Sequence, residues 1–413
     1  MIKNYSPLSS KSELNKIMTK MSELLDISNS QYEDATNKYK AIANYLSNDE
    51  DIRSLDPDMY SQGSFALGTI IKPLSDKEEY DIDLVCELKK GTTNELTQND
   101  LKNLIGKRLK SGMYKDKLKD LDGGRRCWTI VYAEETQFHL DILPAIPDKA
   151  SRLLLENAGN FYGDSAVSIT DKDDKNFYRI SDDWVKSNPK GYKEWFKQQM
   201  IIQLNERKRM FAESAKANID EVPDYKVKTP LQRAIQLLKR HRDLSCENND
   251  DKPISIIITT LSAKAYGNED NLYDALVGIL ENMTNHIEYK YENGKRIAKV
   301  ENPVDFRENF ADKWEKYPVR EKVFYEWVYK ARQYFNKLIS FDSNILSLNE
   351  SLNDGFGENI VKKTFSNLGN ERESERNSGN LRMDNKTKIL GTSLSKDTSK
   401  KVVKHTFHGI YKG

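Results

Sequence analysis

The chain has 413 residues, 37% hydrophobic and 31% charged, which describes a charge-rich soluble globular protein long enough for two or three domains with large cores. With 65 Lys and Arg against 64 Asp and Glu the formal charge is +1, so no bulk electrostatic argument favours nucleic acid or membrane, and only local basic patches remain. Cys86, Cys127 and Cys246 are odd in number and lack zinc-like spacing, reading as free thiols of a reducing compartment; the start, Met1 to Ser6, has no signal-peptide core, and the apolar run around Ile254 to Ile258 is too short to span a bilayer. A cytoplasmic protein without a membrane partner is expected.

Apolar residues at helical spacing, Leu14, Ile17, Met21, Leu24 and Ile27, then Ala41, Ile42 and Leu46, predict one long helix or two in series over 12–46. Asp56-Pro57-Asp58 interrupts the pattern, and the chain then enters a Gly-Ser turn within Gln62-Gly63-Ser64-Phe65-Ala66-Leu67-Gly68-Thr69. Residues 80–88 alternate Ile82, Leu84 and Cys86 with Asp81, Asp83 and Glu87, a strand with one acidic face. A lysine-rich helical stretch over 96–118 ends at Gly123-Gly124. Arg126 to Ala133 and Gln137 to Leu143 then read as an antiparallel hairpin that Pro144 and Pro147 terminate. Residues 184–216 read as helix broken early by Pro189. Thr229 and Pro230 open a strong amphipathic helix, and further helices are expected over 255–266, 271–288 and 321–338.

The chemistry is concentrated in three acids. Asp81 and Asp83, two apart on a strand, leave the same face and suit a shared magnesium, whose small shell wants hard oxygen ligands. Asp141, an isolated acid in His139-Leu140-Asp141-Ile142-Leu143, is expected on the antiparallel neighbour of that strand, holding a second ion. Manganese is the natural substitute for magnesium. Gln62, Gly63 and Ser64 form the companion phosphate site, in which Gly63 allows close backbone approach and Ser64 offers a hydroxyl. A lone Asp-x-Asp on a strand is usually a solvated edge; here the ordered set of Gly-Ser turn, acidic pair and third acid argues for two metals and a nucleoside triphosphate.

These residues resemble the bacterial cGAS/DncV-like nucleotidyltransferases of CBASS anti-phage systems, which are similar to oligoadenylate synthases. Gly63-Ser64, Asp81-x-Asp83 and Asp141 match the family's motifs. The match continues through Leu231 to Asp243, Ser255 to Tyr266, and Asn302-Pro303 with Glu308 to Trp314, covering about the first 340 residues. The resemblance implies an α+β enzyme: a polymerase-beta-like nucleotidyltransferase core over 1–220, including the amino-terminal helix, and a mostly helical, oligoadenylate-synthase-like lobe over 221–347. It implies stepwise joining of ribonucleoside triphosphates into a cyclic di- or trinucleotide, catalysed by Asp81, Asp83 and Asp141 with two metal ions. A nucleotidyltransferase acting on RNA ends or making linear oligonucleotides would share the acids, and a catalytically silent binding module would use lysine-rich patches at 100–118 and 228–242.

Lys239 and Ser255 fall where this family commonly contacts triphosphate, against ordinary readings as a solvated lysine and a helix cap. Arg125 and Arg126 read as the charged start of a strand rather than as a further anion contact, His139 as a packed or surface residue, and Tyr60, Tyr80, Tyr132 and Tyr266 as base-stacking candidates among 21 tyrosines. Base identity, linkage and any nucleic-acid activator stay open. Residues 348–413 read as a polar flexible arm with a short apolar tip at Val402, Val403, Phe407 and Ile410. The family resemblance adds capture of the terminal Gly413 by a ubiquitin-transfer-like partner.

Overall fold

The computed structural model describes residues 7–403 apart from 75–78, 133–137, 158, 160, 217, 220–221, 293, 340–344, 387–389 and 392–394. Two helices in series open it, α1 (Pro7–Leu25) and α2 (Asn29–Ser47). Ser28 separates them: its side chain accepts from the Gln31 N–H while Gln31 accepts from the Ser28 N–H, a reciprocal cap that restarts the helix. A single turn, α3 (Glu50–Ser54), leads to β1 (Pro57–Ser61). The Gly-Ser stretch is itself a short helix, α4 (Gly63–Leu67), closed by Gly68 at φ +67°.

β2 (Tyr80–Leu88), β3 (Trp128–Val131), β4 (Phe138–Pro147), β5 (Val167–Ile169) and β6 (Val185–Ser187) join β1 in a six-stranded sheet of order β1-β2-β4-β5-β6, with β3 also on β4. The helix α5 (Gln98–Lys110) lies between β2 and β3 in sequence, and α6 (Lys149–Asn157) follows β4. β3 and β4 are antiparallel, as the hairpin pattern predicts. β2 and β4 are parallel, not antiparallel, with Asp83 opposite Asp141. The connection between them contains α5 and all of β3, which supplies the long crossover a parallel pair needs.

Pro147 ends β4 as expected, but Pro144 lies inside it and does not end it. β3 occupies one edge of β4 as far as Ile142 and β5 takes over at Ala145, so the N–H that Pro144 lacks falls where one neighbour gives way to the next. Nor does Pro189 break a helix: Trp184 leads into β6, after which α7 (Pro189–Gln199) and α8 (Ile201–Ala215) follow. Proline suits a first helical position, and Asn188 caps that end by accepting from the Gly191 N–H.

The second half is mainly helical. In α9 (Pro230–Ser245), Thr229 and Gln232 form a reciprocal cap and Pro230 takes the first position. α10 (Ser255–Ala265) and α11 (Leu272–Asn282) pack on it. The helix expected to reach 288 stops at Asn282; β7 (Glu288–Glu292) pairs with β8 (Lys295–Lys299), and β9 (Glu301–Asn302) with β10 (Asp305–Asn309). α12 (Asp312–Lys316) and α13 (Pro318–Ile339) complete the lobe.

The expected arm differs most. Residues 345–377 form α14 (Ile345–Phe356) and α15 (Glu358–Asn377), and Leu352, Phe356, Val361 and Leu368 are buried in the same cluster as α9. A few apolar residues at helical spacing bury one stripe of an otherwise polar helix, a pattern that averaged composition conceals. β11 (Arg382–Asp384), β12 (Leu390–Gly391) and β13 (Ser399–Lys401) make a small sheet beyond. Phe407, Ile410 and Gly413 lie outside the described residues.

Two large cores result. One face of the main sheet packs Ile82, Leu84, Cys86, Leu140 and Ile142 against Ile42 and Leu46 of α2 and Leu101 and Ile105 of α5. The other gathers the helical lobe around Leu231, Ala234, Ile235, Leu237 and Leu238 of α9, each such fully buried leucine or isoleucine contributing about 1.5–3 kcal/mol. α1 belongs to this helical core through Leu14, Met18, Met21 and Leu25, not to the sheet with which the sequence grouped it. The second sheet face is covered by Val85, Leu143, Ala145, Val167 and Ile169 at one end only; at the other end stand Asp81, Asp83 and Asp141. Among the described residues no helix is long and apolar enough to cross a membrane.

Candidate active site

The acidic end of the sheet is assembled from three adjacent strands. Parallel register places Asp83 of β2 directly opposite Asp141 of β4, and Asp81 opposite His139. On the far side of β4, Thr129 of β3 stands opposite Asp141 and its Oγ1 donates to Asp141 Oδ1 at 2.5 Å. Thr129 was not singled out from the sequence. The available signal was alternation, since Trp128 and Ile130 point into the core and leave Thr129 on the acid face.

α4 is fastened to this face. The Gln62 N–H donates to the Asp83 carbonyl at 2.8 Å, and Gly63 follows at φ +59°, where a Cβ would overlap the Asp83 carboxylate. Gly63 is therefore required by Asp83 itself as well as by its left-handed backbone. Asp83 is pushed up to about 7 by burial, then by Asp141 and Asp81, with His139 and Lys239 opposing only in part. His139 binds Asp81 through Nε2 at 2.7 Å and Glu79 through Nδ1 at 3.2 Å; the Asp81 hydrogen bond is the main cause of its rise to about 9. It is thus a charged partner of the acids, neither packed apolar nor free.

Across a cavity of about 590 Å³ the helical lobe presents the opposite charge. Gly63, Ser64, Asp81, Asp83, Lys239 and Ser255 all line it, whereas Gln62 and Asp141 are set back from its lining. Lys239 is not solvated: it is 3% exposed, its Nζ donates to the Thr69 carbonyl at 3.1 Å, and burial is the main cause of its fall to about 7. Ser255 is the first residue of α10 rather than its cap, and its Oγ accepts from Arg242 Nη1 at 3.1 Å. Arg242 also donates to the Pro253 carbonyl at 2.8 Å, so it orients the start of α10. Lys72, Arg242 and Lys252 join the lining; of these the run Lys239-Arg240-His241-Arg242 could have signalled Arg242.

Other sequence candidates lie elsewhere. Arg125 and Arg126 both grip the buried Asp171, at 2.6 and 2.8 Å, which uses their charge internally. Tyr60, Tyr132 and Tyr266 pack in apolar clusters; Tyr80 is buried too, yet borders the cavity.

Among the described residues no three His, Cys, Asp or Glu side chains already converge as a metal cage, because Asp81 is turned to His139. The donor set still fits a hard divalent cation. Three carboxylates share one face, and the charge on Asp83 is left mostly unneutralised by neighbours, which is the environment that cation binding relieves.

A sheet bearing paired acids behind a Gly-Ser helix, closed by a helical lobe, defines a nucleotidyltransferase of mixed α/β fold. Residues 13–161 match the family described as Second Messenger Oligonucleotide or Dinucleotide Synthetase domain. The chain is 29% identical over 320 residues to a c-di-GMP synthase of Roseivirga ehrenbergii, covering 77% of each, and 21% identical over 385 residues to the cyclic dinucleotide synthase CdnG of Bradyrhizobium diazoefficiens, covering 87% of this chain and 86% of the relative. The fold is similar to the solved structure of that CdnG in complex with GTP, with a TM-score of 0.65, 18% identity, and coverage of 86% of this chain and 99% of the other. It is also similar to CdnC of E. coli MS115-1 with ATP, with a TM-score of 0.55, 14% identity, and coverage of 83% and 96%. Residues 13–161 thus carry a second-messenger synthetase domain, and over most of its length the chain is similar to cyclic dinucleotide synthases of the cGAS/DncV-like nucleotidyltransferase kind.

Proposed function

We propose that this enzyme joins two ribonucleoside triphosphates without a template and closes the product into a cyclic dinucleotide second messenger for anti-phage defence. The observation that carries the reading is the in-register pair of Asp83 and Asp141, with Gly63 pressed against Asp83 and Lys239 across the cavity. Asp81, Asp83 and Asp141 would hold two magnesium ions, or manganese in their place, which supply charge neutralisation and an acidified ribose hydroxyl when bound.

In this mechanism Ser64 and the α4 backbone receive the triphosphate on the core side while Lys239, with Ser255, approaches it from the helical lobe. His139 holds Asp81, and would give up that bond for the carboxylate to serve as a metal ligand. Thr129 keeps Asp141 in place throughout. The names of the relatives make GTP the first substrate to test. Incubation with the four ribonucleoside triphosphates and magnesium, followed by phosphatase and mass spectrometry, should yield a cyclic dinucleotide resistant to phosphatase. A trinucleotide ring would change the ring size, a linear product would favour the RNA-end reading, and no product would remove the activity.

Attachment of the carboxyl terminus to a ubiquitin-transfer-like partner, which the family resemblance implies, is the corresponding proposal for Gly413. Deleting residues 404–413 should leave turnover of the purified enzyme intact and remove any mass adduct formed in the source cell. An adduct that persists would place the attachment elsewhere.

A further inference from the structure

Helix α9 holds a second set of buried polar side chains that the chemistry above does not use. Residues 68–73, between α4 and β2, form neither helix nor strand, so their carbonyls need partners from outside. α9 and the residues before it supply them. Gln232 Nε2 donates to the Leu67 carbonyl at 2.9 Å, Lys228 Nζ to Gly68 at 2.7 Å, Lys239 Nζ to Thr69 at 3.1 Å and Gln236 Nε2 to Ile70 at 2.8 Å. Arg240 Nη2 completes the series at Lys72, 2.7 Å, and Pro73, 3.3 Å.

The spacing explains how one helix can grip an extended strap. Gln232, Gln236 and Arg240 stand four apart on one face; from Gln236 to Arg240 the helix advances about 6 Å while the extended strap advances about 6.6 Å over the two residues from Ile70 to Lys72, and Gln232 holds the end of α4 at Leu67. All three side chains are buried, at 5%, 0% and 3% exposure, where an unmade hydrogen bond costs most. Gln236 also donates to Asp26 Oδ1 at 2.6 Å, and the Lys72 N–H donates to the Leu25 carbonyl at 2.9 Å, which ties the end of α1 into the same clasp. Thr69, Ile70, Lys72 and Pro73 of the strap line the cavity directly after the Gly-Ser helix.

We propose that Gln232, Gln236 and Arg240 are positioning residues for nucleotidyl transfer: by holding the strap carbonyls they set the Gly63-Ser64 helix at its working distance from Lys239 across the cavity. The inference rests on the reading of that cavity as the triphosphate site. Because each side chain acts as a donor to a carbonyl, a replacement that keeps the shape and loses the donor should release the strap without emptying the core.

Gln232→Glu with Gln236→Glu is that replacement, and Arg240→Met against Arg240→Lys is a second, independent pair. For each full-length protein three quantities are measured: melting temperature, amide hydrogen exchange of peptides covering 66–74, and turnover as pyrophosphate release over a series of GTP concentrations with magnesium, with the four-nucleotide mixture used if GTP alone is not turned over. The expected result for the double variant is faster exchange confined to 66–74 and an apparent KM raised at least tenfold, with kcat changed less. Arg240→Met should behave alike and Arg240→Lys, which keeps a donor, should stay within about threefold of the parent. Unchanged exchange at 66–74 in both sets would overturn the clasp, and a loosened strap with unchanged KM would overturn its positioning role. If the double variant does not fold, the Arg240 pair decides. Ser64→Ala run in parallel separates the two layers: full activity there would remove the triphosphate reading itself, whatever the strap does.

Discussion

Asp83 and Asp171 are carboxylates set into the same sheet region, one on β2 and one just past the end of β5, and their neighbours act in opposite directions. Burial pushes Asp171 up, but hydrogen bonds from Arg125 and then Arg126 outweigh it and hold the carboxyl below the ordinary 3.8. Burial pushes Asp83 up as well, and there the next influences are Asp141 and Asp81, which add to the rise and leave it near 7. Asp171 is an ion cluster already satisfied inside the protein, so its arginines are structural. Asp83 is poised for a cation that the chain does not itself provide. Acids that look alike in sequence are thus separated by whether the fold has already spent a counter-charge on them.

The strongest test of this contrast is Asp81→Asn with Asp83→Asn. Product formation should fall by at least about 1,000-fold, since both proposed metal ligands lose their charge, while the melting temperature in metal-free buffer stays level, the relief of like charge around Asp83 offsetting the lost Asp81–His139 pair. Turnover equal to the parent would end the metal assignment. Gly63→Ala should follow at about 100-fold: the new Cβ displaces the Asp83 carboxylate, and small displacements of a reacting constellation carry losses of that order. A folded, fully active Gly63→Ala protein would show that Asp83 has room to move without consequence.

Lys239→Ala is expected to lower kcat/KM for nucleotide about tenfold, with Lys239→Arg recovering part of the loss because its charge is the same and its geometry is not. Identical kinetics for all three would confine Lys239 to its bond with Thr69. The opposite signature belongs to Asp171→Asn, which should lose about 1–3 kcal/mol of stability in chemical denaturation, the half-exposed arginines limiting the cost, and keep kcat within about twofold. A large loss of activity at unchanged stability would erase the distinction between the two acids.

The smallest effect is in pH dependence. Asp83 has its folded value raised from 3.8 to about 7, so its favourable contribution is complete below about pH 4 and is lost as pH rises through 7; Asp171, held low, contributes above its ordinary value and loses that as pH falls. In metal-free buffer, Asp83→Asn should therefore flatten the decline in melting temperature between about pH 4 and 7. An undiminished decline in that variant would assign it to other groups.

Much of the site was legible because it is local. Asp81 and Asp83 share a face by strand alternation and Thr229-Pro230 announces the start of α9, each through residues a few positions apart. The errors came from non-local partners. Pro144 looks like a strand end until β3 and β5 are seen to meet at its edge, and the alternative reading of Lys239 as a solvated lysine falls only when the strap is laid across α9. Residues 345–377 look like an arm because α15 shows only a narrow apolar stripe, and that stripe means little without α1 and α9 to receive it.

By itself the sequence determined which residues could carry the chemistry: the Gly-Ser element, the acidic pair, the third acid and a cationic amphipathic helix are all written in short periodic segments. Tertiary structure alone decided how they meet. The parallel register that sets Asp83 opposite Asp141, the pressure of Gly63 on Asp83, and the hold of α9 on residues 67–73 join segments distant along the chain. Backbone preference and hydrophobic period act over a few residues, whereas the burial and charge balance that separate Asp83 from Asp171 exist only once distant strands and helices have closed around them.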